Sequence, residues 1–477
     1  MVCQLPTDCL NDIFEYLEED KVSLRSCLLV NCLWCEVAVR ILWNNPWNFK
    51  YNVHYPNRTR VSLPSAILST LIACLPKESK DILYVNGIFI PPPTSKPPLF
   101  NYISFSKVLS IDAMNQTIAD FLVNKQVNDL NNNKHLLLRE LLKTFMNQIS
   151  SLKALEYSKE IQNTPFINFS GAKDCLTGLS AFSCYSNLYS SFFHQLSQLC
   201  HNIQTLTIVF ENNKSNELKE LISLQNNLKH LELITNGYEG WTGIIPALTK
   251  HHDTLKKLYI QVYYGPLSFI TSFKNLQELV ISTYKSNIFN EFHHVTFSKL
   301  RVLKVSYGCL KDEFFTKFLE NNGENLIELN VLNLDKNNRS SIVQFCPNLK
   351  KFFTPFRDDE LNLLKTMFHG CPYLEGIIAW CGSCYLNEKK MLEAIAKYSP
   401  KSFHELKIYN DVRSELFPED LESFFISWGN RKPLTLIIIN NYNNGLNANQ
   451  GNITTIEKYK KLGIIKEFRA ERFKLFA

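Results

Sequence analysis

Apolar residues fall at helical spacing over the first 45 positions. Leu10, Ile13, Phe14 and Leu17 recur at i, i+3, i+4 and i+7, one face of an α-helix that opens at Leu5-Pro6. Proline suits that start, because its missing N–H would have had no partner there. Asp8, Asp12, Glu15 and Glu18 fill the rest of the helix, the early acids matching the positive end of its dipole. After the polar break Glu18–Lys21, the pattern predicts a second helix from Val22 to Leu29 with Leu24, Cys27 and Leu28 inward. A third runs from Asn31 to Asn44, carries Leu33, Trp34, Val37, Ala38, Ile41 and Leu42, and is stopped by Pro46. Further on the pattern becomes a short frame, L-x-x-L-x-L. It can be set on Leu152, Leu176, Ile203, Leu228, Leu255, Leu276, Leu300, Leu326, Leu349, Leu374, Phe403 and Leu434, with a mean step near 25.6 residues. A weaker unit sits at Val108–Ile111.

Leu228-Lys229-His230-Leu231-Glu232-Leu233-Ile234-Thr235-Asn236 has the full form L-x-x-L-x-L-x-x-N of a leucine-rich repeat, and the mean step lies in that repeat's range of roughly 20–29 residues. All twelve frames are apolar at the fourth position, and only Thr354 breaks the apolar-or-tyrosine rule at the sixth. Between frames lie amphipathic stretches such as Leu136–Met146 and Leu188–Leu199, so each unit reads as helix, loop and short strand. The predicted fold is α/β: a three-helix N-terminal module followed by a leucine-rich-repeat solenoid, with a parallel β-sheet on the concave side and helices outside. At the ninth position Asn or Cys appears only as Asn236 and Cys184, while other frames carry Glu160, Tyr263, Gly308 or Arg357. The solenoid should therefore be irregular, with some turn backbone groups bonded elsewhere.

The N-terminal helices resemble an F-box. That family's pattern falls here on Leu5, Pro6, Ile13, Phe14, Leu17, Leu24, Cys27, Leu28, Val30, Trp34, Ile41, Leu42 and Trp43, with Cys32 where many members carry a basic residue. A module of about 45 residues is near the lower limit for a self-sufficient core. The resemblance implies that it docks on a Skp-type adaptor and through it on a cullin ligase. The candidate adaptor contacts are Leu5, Pro6, Leu10, Ile13, Phe14, Leu17, Leu24, Leu28, Val30 and Trp34.

The remaining segments fill in the organisation. Leu63–Leu75 reads as a helix, Pro91–Pro98 as a stiff extended loop, and Thr454–Leu462 as a helix with Thr454 or Thr455 as N-cap and Gly463 as its stop. Ile464–Phe468 reads as a last strand. The expected division is 1–47 helical module, 48–105 connecting helical and Pro-rich segment, 106–450 irregular repeats, and 451–477 C-terminal cap.

Composition narrows the functional classes. The chain has 477 residues, 45% of them hydrophobic, enough for a large buried core, and a net charge of only +6. That charge argues against a nucleic-acid partner, whose phosphates call for many basic side chains. No apolar run approaches the roughly 18 residues needed to span a bilayer, and the acidic first 17 residues do not read as a leader. The expected location is cytoplasmic and/or nuclear, where the 14 cysteines stay reduced.

Candidate chemistry is thin. Cys381-Gly382-Ser383-Cys384 with His369 and Cys371 upstream has metal-like spacing, but Cys371 precedes Pro372 at a repeat-start position shared with Cys346-Pro347, where an apolar side chain is expected, and no second Cys-x-x-Cys lies nearby. The pairs His251-His252 and His293-His294 lack the i, i+4 spacing of a helical metal site and read as polar loop residues. No phosphate-binding Gly loop, nucleophile elbow or kinase pattern occurs, so no catalytic residue, metal or cofactor is expected. Strand alternation turns the third, fifth and seventh frame positions to the open face. The fifth positions run Glu156, Ser180, Thr207, Glu232, Tyr259, Val280, Lys304, Asn330, Phe353, Ile378, Lys407 and Ile438. Tyr259, Lys304, Lys351, Phe353, Trp380, Lys407 and Tyr409 are the candidate contacts for a protein substrate, since aromatics concentrate at binding hot spots. Together with the resemblance, these residues suggest a non-catalytic substrate receptor of a Skp–cullin–F-box ubiquitin ligase, the alternative being a free-standing leucine-rich-repeat scaffold or inhibitor.

Overall fold

The computed structural model describes residues 5–48, 63–88, 98–124, 129–157, 165–211, 216–235, 241–262, 265–285, 288–310, 313–334, 336–439 and 444–471. Most of the Pro91–Pro98 run, the ninth-position residues Glu160, Asn236 and Tyr263, and the final six residues lie outside them. The chain divides into two units, Met1–Leu228 and Lys229–Ala477.

The first unit opens with α1 (Thr7–Glu15), α2 (Lys21–Cys27) and α3 (Cys32–Leu42). Asp20 and Asn31 cap α2 and α3 by accepting the N–H groups of Ser23 at 3.0 Å and Trp34 at 2.9 Å. The caps set where both helices begin, so Asn31 stands outside α3 and α2 starts at Lys21; α2 stops at Cys27, before the turn Leu28–Val30. Leu10, Phe14, Leu24, Cys27, Val37, Ala38 and Ile41 form the module's core.

Next come α4 (Leu63–Ala73), α5 (Lys77–Val85), α6 (Tyr102–Phe105), β1 (Val108–Ser110), α7 (Ile111–Asn124), α8 (Leu130–Gln148) and β2 (Ala154–Tyr157). The unit ends with α9 (Ala172–Thr177), β3 (Ala181–Tyr185), α10 (Ser190–Leu199), β4 (Thr205–Phe210) and α11 (Asn216–Ser223). Strands β1 to β4 pair in chain order and in parallel. One carbonyl per unit takes two N–H groups from the next. Lys107 O accepts from Lys153 at 2.8 Å and Ala154 at 3.1 Å, Lys153 O from Ser180 and Ala181, and Ser180 O from Gln204 and Thr205. This rail begins in the helical module, where Asn44 O accepts from Lys107 at 2.8 Å and Val108 at 3.1 Å. Around it Trp43 packs on Tyr102 and Trp47 on Phe145.

The register corrects one frame. Leu155 lies opposite Phe182, which lies opposite Leu206, so the third unit starts at Leu179 and not at Leu176, which belongs to α9. Ser183 replaces Ser180 as the fifth residue, and Cys184 is a buried sixth residue rather than a ninth. The corrected ninth residue is Asn187, whose side-chain amide donates to Glu211 at 2.7 Å. Other turn groups are served by the loop after a helix: Gln225, just past α11, accepts the Ile203 N–H at 2.9 Å and donates to the carbonyls of Cys200 and Leu221.

The second unit carries β5 (His230–Thr235), β6 (Lys257–Val262), β7 (Glu278–Thr283), β8 (Val302–Leu310) and β9 (Glu328–Leu334), then β10 (Lys351–Phe353), β11 (Gly376–Cys381), β12 (Glu405–Asn410), β13 (Leu434–Ile439) and β14 (Ile465–Glu471). These too pair in order and in parallel. The fourth-position residues from Leu231 to Leu406 are buried throughout, as the frame requires. Helices α12 (Ile245–Leu248), α13 (Glu313–Asn322), α14 (Lys336–Phe345), α15 (Leu361–Gly370), α16 (Glu388–Tyr398), α17 (Pro418–Trp428) and α18 (Gln450–Lys461) fill most of the connections.

Three expectations fail here. Between β6 and β8 the connections are 3₁₀ turns, Ser268–Ser272 and Ile288–Glu291, in place of the expected α-helices. At the end, Leu406 pairs with Leu436 and Lys407 with Ile437, so the last frame is shifted by one and Ile438 points inward. The α18 cap is Asn449, which accepts the Gly451 N–H at 2.8 Å; Thr454 lies inside the helix.

Candidate protein interaction sites

The sequence marks ten apolar side chains of the helical module as adaptor contacts, and the structure sorts them by what each touches. Leu10, Phe14 and Leu24 are core residues, the Phe14 ring meeting Trp34 edge-on at 5.1 Å. Leu17, Leu28 and Trp34 are half-buried against that core. Leu5, Pro6, Ile13 and Val30 face solvent, with Leu5, Ile13 and Val30 exposed by 50%, 47% and 55%. Sequence reasoning missed Tyr16, Val22 and Leu29, which are exposed by 92%, 72% and 88%. Tyr16 falls just past the end of α1 and Leu29 just past the end of α2, where a helical repeat no longer tells inside from outside. The module therefore keeps a small core and shows these apolar side chains to water.

On the second unit, the third and fifth positions of the strands form ladders of opposite charge. Lys257 pairs with Glu278 at 3.0 Å, Lys304 with Glu328 at 3.1 Å, and Lys351 with Glu405 at 3.4 Å. The last pair spans two strands, because Gly376 stands between its members in the register. A Cβ at Gly376 would come within 2.9 Å of the Glu405 Cβ and 3.0 Å of its carbonyl oxygen. Tyr259 turns its hydroxyl to Gln261 at 3.2 Å. Phe353 is only 2% exposed, so it supports its neighbours instead of offering a contact. Trp380 is the hub of an aromatic shelf, its ring 5.9 Å from Phe353, 4.8 Å from Tyr409 and 5.1 Å from Tyr385. Trp380, Tyr409 and Lys407 are half-buried and remain reachable.

No protein-family model matches the chain. No curated protein matches it either. Solved structures do, 70 chains in all. One is the leucine-rich repeat-containing protein LegL7 from Legionella pneumophila, at 11% identity and a TM-score of 0.35, covering 67% of this chain and 94% of that one. The repeat architecture is defined by this chain's own features: parallel strands paired in order, one apolar frame, and a shared carbonyl rail.

The cysteine cluster does not assemble. Cys371 is buried with its thiol toward the Cys346 carbonyl at 3.6 Å, Cys381 is buried, Cys384 is exposed, and His369 sits on the outer side of α15 bonded to the Lys365 carbonyl at 2.8 Å. Among the described residues no three His, Cys, Asp or Glu side chains could hold a metal ion together. His251 is buried in a 3₁₀ turn rather than exposed on a loop. No helix among the described residues is long and apolar enough to cross a membrane.

Burial pushes the thiols of Cys175, Cys200 and Cys371 up to about 12, since a thiolate would lose its water there. At pH 8, iodoacetamide should therefore alkylate the exposed Cys9, Cys32 and Cys384 in the native protein and spare those three. Peptide mapping by mass spectrometry reads this directly, and modification of Cys371 at the rate of Cys384 would contradict it. Between the free value of 9.0 and about 12 the unfolded chain loses protons that the folded chain keeps, so these residues make the fold less stable as pH rises through that window.

Proposed function

We propose that this protein is a non-catalytic substrate-recognition subunit of a Skp–cullin–F-box-type ubiquitin ligase. The observation that supports this most is the division of labour within the helical module. Leu10, Phe14 and Leu24 close its own core, while Leu5, Pro6, Ile13 and Val30 leave an apolar surface for a partner. In this reading a Skp-type adaptor covers that surface, the open face of the strands takes a protein substrate, and other subunits carry out the ubiquitin transfer.

One observation favours a second reading, a repeat scaffold or inhibitor whose first helices serve only as a cap. Asn44 supplies the first rung of the carbonyl rail, so the end of the helical module shields the edge of β1. Co-expression with a Skp-type adaptor separates the two. The receptor reading expects the wild-type protein to co-elute with the adaptor. Ile13→Asp, which places a charge on the exposed surface without touching the core, should weaken that association at least tenfold and leave the melting temperature unchanged. Separate elution of the wild-type protein and adaptor would leave the scaffold reading standing.

A further inference from the structure

The charge ladder on the second unit pairs its lysines with one exception. Lys257, Lys304 and Lys351 each meet a glutamate, but Lys407 forms no ion pair among the described residues. Its neighbours in register are Ile378 on β11 and Ile437 on β13. The carboxylate nearest along its own strand is Glu405, and that one is drawn away across Gly376 to Lys351. The glycine thus has a chemical consequence: it lets Lys351 reach Glu405, and it leaves the Lys407 ammonium unanswered. Beside it, two residues further along β12, stands Tyr409 with its ring 4.8 Å from Trp380.

We propose that Lys407 receives an acidic side chain of an extended peptide, and that the Trp380–Tyr409 shelf receives the apolar or aromatic side chain two residues further along. The proposal deepens the receptor reading by naming the kind of substrate segment that this surface would hold. Three features carry it. Lys407 is half-buried between two isoleucines, so an incoming carboxylate would meet it in a partly dehydrated setting, where a charge-assisted bond gains over one in open water. Alternate residues of an extended peptide lie roughly 6.6–6.8 Å apart, the same spacing as Lys407 and Tyr409 on their own strand. The anion expected is a carboxylate and not a phosphate. A phosphate is best met by an arginine fork, and the arginine in register with Lys407 through Ile437, Arg469 on β14, is already held by Glu467 and Glu471.

The test uses the full-length chain on immobilised nonapeptide arrays. One array carries a fixed Glu–Xaa–Phe centre, a second Lys–Xaa–Phe, and a third phosphoserine–Xaa–Phe. Binding should concentrate on the glutamate array, at least tenfold over the lysine array. Lys407→Glu should move the preference to the lysine array, Lys407→Arg should keep it, and Trp380→Ala should weaken binding to every array. Circular dichroism confirms that each variant is folded. Equal binding to the glutamate and lysine arrays, a preference unchanged in Lys407→Glu, or a preference for phosphoserine would overturn the proposal. No adaptor is needed, so array binding that persists where adaptor co-elution fails would sink the receptor reading alone.

Discussion

Arg339→Met should destabilise the protein by about 3–5 kcal/mol, the cost of leaving a buried charge without its partner. Arg339 on α14 pairs with Glu360, and each side chain is only 5% exposed. The guanidinium also donates to the Leu334 carbonyl through Nε at 3.3 Å and a terminal nitrogen at 3.2 Å, and lies 5.8 Å from the Phe356 ring centre. Glu360 has a second duty, accepting the Arg357 N–H at 2.8 Å. Removing the arginine therefore strands both a carboxylate and a carbonyl. The double variant Arg339→Met, Glu360→Gln should recover more than half of the loss, because the amide oxygen still accepts from Arg357 and no net charge remains buried. Urea unfolding of the two single variants and the double one closes the cycle. An Arg339→Met protein within 1 kcal/mol of wild type would contradict the account.

Trp428→Ala should have a comparable effect, about 3–5 kcal/mol, and should loosen two helices rather than one. Trp428 ends α17 fully buried, its ring 6.0 Å from Phe403 and 5.7 Å from Phe424, and its Nε1 donates to the Lys432 carbonyl at 2.9 Å. Arg431 stacks on the indole with its guanidinium 4.0 Å from the ring centre. From there it donates to the last carbonyls of α16, those of Ile395, Ala396 and Ser399, to the Pro400 carbonyl, and to the Ser399 hydroxyl at 2.8 Å. Burial lowers the pKa of this arginine, so those acceptors and the stacking ring keep its charge satisfied in place. Without the indole, Arg431 loses its seat and the α16 carbonyls lose their donor. Amide exchange should rise across Glu388–Tyr398 as well as in α17. Wild-type protection of α16 in the variant would show that the stacking does not hold it.

The repeat frame was legible where the two faces of a strand differ in polarity. At Leu176-Thr177-Gly178-Leu179-Ser180-Ala181-Phe182-Ser183-Cys184 two frames fit, offset by three residues, because the end of α9 and the start of β3 carry apolar residues at the same spacing. The asparagine at the ninth position, Asn187, distinguishes them and was the signal available. At Leu434–Ile439 no alternation exists to read. Ile437 lies on the open face yet is fully buried, opposite Arg469 on β14. The candidate site was legible as residue types but not as pairings. That Lys351 is occupied and Lys407 is not depends on Gly376, a residue without a side chain, and on which strand lies next to which.

The rail that starts at Asn44 also sets a rule for building chimeras. A helical module cut out at the end of α3, after Leu42, would leave behind the carbonyl that holds Lys107 and Val108, and with it the indole of Trp47 that packs on Phe145. The recipient would gain three helices and expose a raw strand edge. An exchangeable cassette must run at least through Trp47, and its donor must bring a residue whose carbonyl can accept two amide N–H groups from the strand that follows.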